Sequence, residues 1–168
     1  MNVLHRALLP LLAWAYVAGA AAQGLDEPYI GELTQIDRQY MQQQRSLLNE
    51  LAGRNFGRQF TGKRDNDLAL LQRLLDEEVV RGDQTQELQG MGIVLGDLLA
   101  ADLGLDWVVY EDRIGRSRAL RYKDSDNYLF PITMISRRRE VDNQARVIDI
   151  YQKAVNSITP AIPKLPFQ

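Results

Sequence analysis

The sequence predicts a single α+β domain, in which helices pack on one face of a small antiparallel meander sheet in the order α-α-α-β-β-β-α. Apolar residues recur with helical spacing through residues 29–103. Residues 105–135 are instead rich in β-forming side chains and turn signals, and helical spacing returns at 141–157. Strands joined by short turns pair antiparallel, and helices then cover one face of the sheet.

Residues 1–22 are predicted to be a cleavable signal peptide. A short basic start is followed by an apolar stretch over 7–17 and by small residues at Ala20 and Ala22, which favours cleavage before Gln23. The apolar stretch is too short to span a bilayer comfortably. We therefore expect a periplasmic or secreted protein without stable membrane insertion, consisting of one domain over 23–158 and a Pro-rich tail over 159–168.

Three helices are predicted in the first half of the chain. They are expected to end near Gly53, Gly82 and Gly104, because glycine commonly follows a helix C-terminus. Asp83 and Gln86 have the spacing of a capping box at the start of the third helix. The predicted ranges are 29–51, 65–80 and 83–103.

Gly92 and Gly96 lie one turn apart on the third predicted helix. Each costs about 1 kcal/mol relative to alanine in an exposed helix interior. They interrupt an apolar helical pattern and do not join a strand to a helix N-terminus, so a phosphate-binding loop is disfavoured. We interpret both as points where another backbone packs closely.

The second half is predicted to contain three strands and one helix. The third strand contains Pro131, which cannot donate a ladder hydrogen bond, so this strand should lie at an edge or carry a bulge. The polar segment 124–127 is predicted to be a hairpin turn and not a calcium loop. The predicted strands are 105–110, 118–122 and 128–135, and the helix is 141–157.

Composition excludes several classes of function. Cysteine is absent, and the only histidine, His5, lies in the predicted signal peptide. Disulfides, soft-metal sites and Ser–His or Cys–His catalysis are therefore excluded from the mature protein, and we expect no metal and no cofactor. The net charge is −2 for the whole chain and, without Arg6, −3 for the mature protein, which disfavours nucleic-acid binding.

Several short blocks of residues 88–138 occur in an order that resembles a known family. The blocks are Gly92–Asp97, Leu103–Val109, Ala119–Tyr122 and Phe130–Arg138. They resemble a bacterial domain-of-unknown-function family whose members include predicted secreted proteins of Gram-negative bacteria. The resemblance implies a fold and a location, but it carries no activity, substrate or cofactor and transfers no catalytic residue.

Asp97 is the first candidate site residue, because it lies among apolar neighbours on the third helix. A carboxylate at such a boundary needs a partner, since an unpaired buried charge is costly. Arg121, Arg137 and Arg138 are the expected partners, in a structural ion pair between helix and sheet. The alternative is that Asp97 faces a ligand in a cleft, with these arginines forming the rest of a binding site.

The second half of the chain is also the more basic. Residues 23–104 carry 14 acidic and 8 basic residues, whereas 105–168 carry 8 acidic and 11 basic residues. Two kinds of surface could differ in this way by chance, or the excess could form a basic patch for an anionic partner. In an extended segment the run 137–139 cannot form one flat patch. Together with Arg113, Arg116 and Arg118 it could still form a basic rim.

Two classes of function remain compatible with the sequence. The first is a non-enzymatic, exported binding or interaction protein whose partner is a protein, a cell-envelope component or a small ligand. The second is a carboxylate-dependent glycan hydrolase of the cell envelope, which needs two acids flanking the scissile bond. The candidate acids for the second class are Asp102, Asp106, Glu111 and Asp112.

Overall fold

A computed structural model describes residues 27–162 and shows an α+β fold. The strands are β1 (Tyr29–Glu32), β2 (Asp106–Glu111), β3 (Arg116–Arg121) and β4 (Tyr128–Leu129). The helices are α1 (Gln35–Phe56), α2 (Arg64–Asp76), α3 (Thr85–Leu103), α4 (Ser136–Arg139) and α5 (Val147–Ile158). Two short 3₁₀ turns follow β4 and α5, at Pro131–Thr133 and Thr159–Ala161. The predicted signal peptide and residues 163–168 of the predicted tail lie outside the described residues.

The four strands form one antiparallel sheet in the order β1-β2-β3-β4. The last three follow one another along the chain as the predicted meander. The first strand was not predicted, since residues 29–51 were expected to form one helix. Instead Tyr29 pairs with Glu111 and Gly31 with Val109, so β1 joins the sheet before α1 begins.

Thr34 explains where α1 begins. Its hydroxyl accepts a hydrogen bond from the amide of Asp37 at 3.2 Å, and the Asp37 carboxylate accepts the amide of Thr34 at 2.9 Å. This reciprocal capping box fixes the start of the helix at Gln35. At the other end, Gly57 adopts a left-handed conformation (φ 63°) and caps the helix, so the predicted stop at Gly53 is wrong.

Helix α3 is the centre of the hydrophobic core. It packs against α1, α2, α5 and the 3₁₀ turn after β4. Its N-terminus follows Gln84, which makes no side-chain capping bond, so the capping box predicted at Asp83 and Gln86 does not form. Its fully buried side chains include Leu88, Met91, Ile93, Leu95 and Leu99.

Two glycines of α3 pack closely, and the predicted backbone contact is confirmed at Gly92, whereas at Gly96 the close neighbour is a side chain. A Cβ atom on Gly92 would lie 2.5 Å from the carbonyl oxygens of both Pro131 and Ile132. On Gly96 it would lie 2.4 Å from Cζ2 of Trp107 in β2. The two glycines therefore let the 3₁₀ turn and the sheet approach the backbone of α3 directly.

The segment after β3 differs most from expectation. The third strand was predicted over 128–135 but contains only two residues, because Pro131 starts the 3₁₀ turn. The arginine run 137–139 is part of α4 and is not extended. The last helix begins at Val147 instead of residue 141. None of the helices in residues 27–162 is long and apolar enough to cross a membrane.

Candidate functional site

A cleft of about 460 Å³ lies beside the part of β3, residues 116–119, that β4 does not cover. It is bounded by α1 and α3 on the helical side and by the segment that follows β4. We call it the arginine cleft, because three guanidinium groups line it. The described residues that line it include Tyr40, Gln89, Tyr110, Asp112, Arg116, Arg118, Phe130, Thr133 and Arg137.

The buried carboxylate of Asp37 holds two of the three arginines in position. Its carboxylate is 1% exposed and accepts hydrogen bonds from both terminal nitrogens of Arg116, at 2.9 and 2.6 Å. Nε of Arg118 donates to the same carboxylate at 2.9 Å. Because Arg116 and Arg118 are two residues apart on β3, their side chains leave the sheet on the same face, toward α1.

This arrangement changes the protonation of Asp37. The hydrogen bonds from the Arg116 guanidinium hold the pKa of the Asp37 carboxyl well below its ordinary value of 3.8, against the opposing effect of burial. Thr34 and the charge of Arg118 lower this pKa further. Asp37 is therefore ionised at neutral pH and balances one of the two positive charges above it.

Aromatic rings complete the wall of the arginine cleft. The guanidinium of Arg118 lies over the ring of Tyr40, 4.5 Å from its centroid. The Tyr40 hydroxyl donates to Oε1 of Gln89 at 3.3 Å, which links α1 to α3. On the other side the rings of Tyr110 and Phe130 contact each other edge to face, with their centroids 5.2 Å apart. The cleft thus combines cations held in place with apolar ring surfaces.

Arg137 is the third arginine and the least constrained. It is exposed, lines the cleft from α4, and makes no hydrogen bond or ion pair with any other residue of 27–162. Within the described part of the chain, no side chain therefore holds its guanidinium in place. With Asp37 paired below and Asp112 on the rim, three arginines against two carboxylates leave the cleft positive.

Asp97 is not paired with any of its three expected partners. Its carboxylate accepts Nε and Nη2 of Arg45 from α1, at 2.6 and 2.8 Å, and Nε1 of Trp107 from β2, at 3.1 Å. The prediction of a structural ion pair was right in kind but wrong in partner. The physical reason is that α1 packs along α3, which brings Arg45 closer to Asp97 than any strand arginine.

The other predicted arginines occupy separate places. Nε of Arg121 donates to the carbonyl of Ser125 at 2.7 Å and so fastens the turn between β3 and β4. Arg138 donates to the carbonyl of Met134 within its own segment. Of the four predicted site residues, only Arg137 lies in the arginine cleft.

The candidate acids are likewise dispersed. Asp102 accepts a hydrogen bond from the hydroxyl of Tyr151 in α5, where burial and this bond raise the tyrosine pKa to about 12. Asp112 accepts the amides of Ile114 and Gly115, at 2.8 and 3.1 Å, and shapes the β2–β3 turn. Among the described residues lining the arginine cleft, Asp112 is the single carboxylate.

Part of the arginine cleft was visible in the sequence. Arg113, Arg116 and Arg118 together with the run 137–139 were one possible basic rim, and Arg116, Arg118 and Arg137 do line one cleft, whereas Arg113 lines the cleft beside Tyr29. Asp37 and Tyr40 were missed, because α1 was expected to begin too early. The pattern Thr34-x-x-Asp37 is the signal that would have placed the helix start and the buried carboxylate.

The middle of the chain carries the match to known sequences. Residues 67–151, about half of the chain, match the model of DUF3806, a domain of unknown function. The chain belongs to the DUF3806 family. The match includes β2, β3, β4 and α3, and hence all three arginines of the cleft. It excludes β1 and also α1, the helix that supplies both Asp37 and Tyr40.

A solved structure shares the fold. The crystal structure of a protein from Bacteroides thetaiotaomicron VPI-5482, at 1.50 Å resolution, is similar to this DUF3806 protein with a TM-score of 0.69 and 15% sequence identity. The alignment covers 77% of this chain but 47% of the other, so the chain spans about half of that structure. No functionally curated protein matches the sequence.

Proposed function

We propose that this protein is an exported, non-enzymatic binding protein that holds an anionic ligand in the arginine cleft. The ligand is a carboxylate- or phosphate-bearing group of a protein, a cell-envelope component or a small molecule. Export is the expectation from residues 1–22, and it predicts a mature N-terminus at Gln23. Mass spectrometry of the protein recovered from the producing cell and its medium tests that cleavage.

The observation that carries the binding proposal is the convergence of Arg116, Arg118 and Arg137 on one cleft with a single carboxylate on its rim. Guanidinium groups match the planar geometry of carboxylates and phosphates and bind them through paired hydrogen bonds. Asp37 holds two of them in fixed positions, which reduces the entropy lost when a ligand binds. The guanidinium of the third, Arg137, makes no hydrogen bond or ion pair with another of the described residues.

The hydrolase remains the second candidate from the sequence, but no contact in the described residues favours it. A glycosidase needs two carboxyl groups facing one bond. Asp102 and Asp112 are engaged elsewhere, with Tyr151 and with the β2–β3 turn. The cleft offers cations in place of a pair of acids.

Isothermal titration of the purified protein with a panel of carboxylates, phosphates and acidic polymers tests the proposal. We expect binding that weakens with salt, and a loss of about tenfold or more in Arg137→Gln. Arg58→Gln is the matched control, because Arg58 is exposed and lies outside the cleft. Equal affinities for the wild type and Arg137→Gln, or no binding to any anion, would overturn the proposal.

A further inference from the structure

We propose that the ligand of the arginine cleft is an acidic peptide segment that binds in extended form, as a strand added to the free edge of β3. This inference rests on the proposed function and names its ligand class. It comes from an imbalance in the pairing of β3. All six residues of β3 pair with β2, but only Leu120 and Arg121 pair with β4. On the side away from β2, residues 116–119 therefore have no strand beside them among the described residues.

The hydrogen-bonding pattern shows which backbone groups are free. The amide of Asp112 donates to the carbonyl of Gly115 at 3.1 Å, which closes the β2–β3 hairpin. In an antiparallel ladder hydrogen-bonded pairs alternate, so Ser117 and Ala119 bond to β2. The backbone N–H and C=O groups of Arg116 and Arg118 consequently point away from β2, toward the arginine cleft.

Pro131 keeps this edge free. A longer β4 would have covered Arg118 and Arg116, but the chain turns into the 3₁₀ turn Pro131–Thr133 and packs against Gly92. The space left beside β3 is the cleft of about 460 Å³. It is walled on its far side by Phe130 and Thr133. A strand of about four residues, roughly 13 Å long, matches the length of the free edge.

Charge complementarity identifies the added strand as acidic. Side chains of a strand alternate between faces, so every second residue of the peptide would face the side on which Arg116 and Arg118 leave β3. Carboxylates at those positions would meet guanidinium groups, and a basic strand would be repelled. The opposite edge of the sheet differs, because the cleft beside Tyr29 carries Glu27, Glu111 and Asp112 against Arg113.

When a peptide binds along an exposed strand edge, its main chain and its side chains have different roles. Main-chain hydrogen bonds supply affinity with little regard to sequence, and alternate side chains supply selectivity. Here the main-chain bonds would come from Arg116 and Arg118, and the selectivity from their own guanidinium groups together with Arg137. The same two residues thus serve both purposes, on their backbone and on their side chains.

The experiment uses the full protein and a seven-residue peptide of alternating glutamate and threonine, acetylated and amidated at its ends. Two derivatives carry N-methyl groups, one on the glutamate amides and one on the threonine amides. Because only one set of amides faces β3, we expect one derivative to lose about tenfold or more in affinity and the other to bind nearly as well as the parent. A glutamine-for-glutamate peptide should also bind at least about tenfold more weakly.

Amide hydrogen exchange by NMR gives an independent readout. On binding, the amides of Arg116 and Arg118 should exchange at least about tenfold more slowly, whereas that of Ser117, already bonded to β2, should not change. If both methylated peptides bind as well as the parent, or if only acidic oligosaccharides bind, strand addition is wrong while anion binding stands. If no anion binds and Arg137→Gln changes nothing, both proposals fail.

Discussion

Asp97 and Arg45 form a two-point ion pair that ties α1 to α3, with Nε of Arg45 2.6 Å and Nη2 2.8 Å from the carboxylate. The indole of Trp107 donates to the same carboxylate, so one acidic side chain joins two helices and β2. The hydrogen bond to Asp97 raises the pKa of the Arg45 guanidinium, which is consequently charged throughout the range in which the protein is folded. Asp97 therefore holds the orientation of α1, on which the arginine cleft depends.

Removal of this link should lower stability moderately. Both side chains are about one-third exposed, so we expect Asp97→Asn to reduce the free energy of unfolding by about 1–2 kcal/mol, less than for a fully buried pair. Chemical denaturation measures the loss. In a double-mutant cycle with Arg45→Gln the coupling should be about 1 kcal/mol, and with Arg121→Gln it should be near zero. Coupling to Arg121 instead would contradict the pairing.

Substitution of Gly92 should be destabilising even by alanine. The added methyl group would meet two backbone carbonyl oxygens at 2.5 Å, which cannot rotate away as a side chain can. We expect Gly92→Ala to cost about 1–3 kcal/mol by overpacking. Gly53→Ala in α1 is the control, since a Cβ atom on Gly53 would lie 3.9 Å from the carbonyl oxygen of Arg58. This substitution should stabilise the protein by up to about 1 kcal/mol. Urea denaturation in which both substitutions changed the free energy of unfolding in the same direction would contradict this prediction.

The buried carboxylate of Asp37 should make stability depend on acid pH. Because its pKa is lower in the folded than in the unfolded state, its stabilisation is complete above about pH 4 and is lost as the pH falls further. Asp37→Asn should cost about 3 kcal/mol at neutral pH, the low end for a broken buried pair, because the remaining arginines are 38% and 23% exposed. Chemical denaturation at pH 6 and at pH 3 should show that the free energy of unfolding declines less in Asp37→Asn than in the wild type.

Tyr151 should produce the opposite dependence at alkaline pH. Burial, with the bond to Asp102, raises its pKa from 10.0 to about 12 in the folded state. The unfolded chain therefore loses this proton first, and stability should fall as the pH rises from 10 to 12. Tyr151→Phe should reduce that fall. A wild-type slope retained in Tyr151→Phe would exclude this assignment.

Local patterns of the sequence predicted the α+β class, three helices in the first half and the strands near residues 106–121. They predicted the close contact at Gly92 and Gly96, because glycine is unfavourable within a helix unless another group needs the space. They failed for β1. Ile30, Leu33 and Ile36 have helical spacing, and only pairing with Glu111, far along the chain, selects the extended form.

The partners of charged residues were harder to predict. Asp97 was correctly expected to need a cation, since its neighbours are apolar, but its choice of Arg45 depends on how α1 lies along α3. Sequence periodicity defines the face of a helix and not the position of a second helix against it. The same holds for Asp37, which meets Arg116 and Arg118 only once the sheet has closed on α1.

The position of β1 in the sheet has a consequence for the order of folding. Gly31 pairs with Val109, so the strand nearest the N-terminus must wait for a partner synthesised about eighty residues later. The hairpin of β2 and β3 and the helices have much shorter loops to close, and contacts of short sequence separation form faster. Docking of β1 should thus be a late step, after which Thr34 and Asp37 come into place beneath the two arginines.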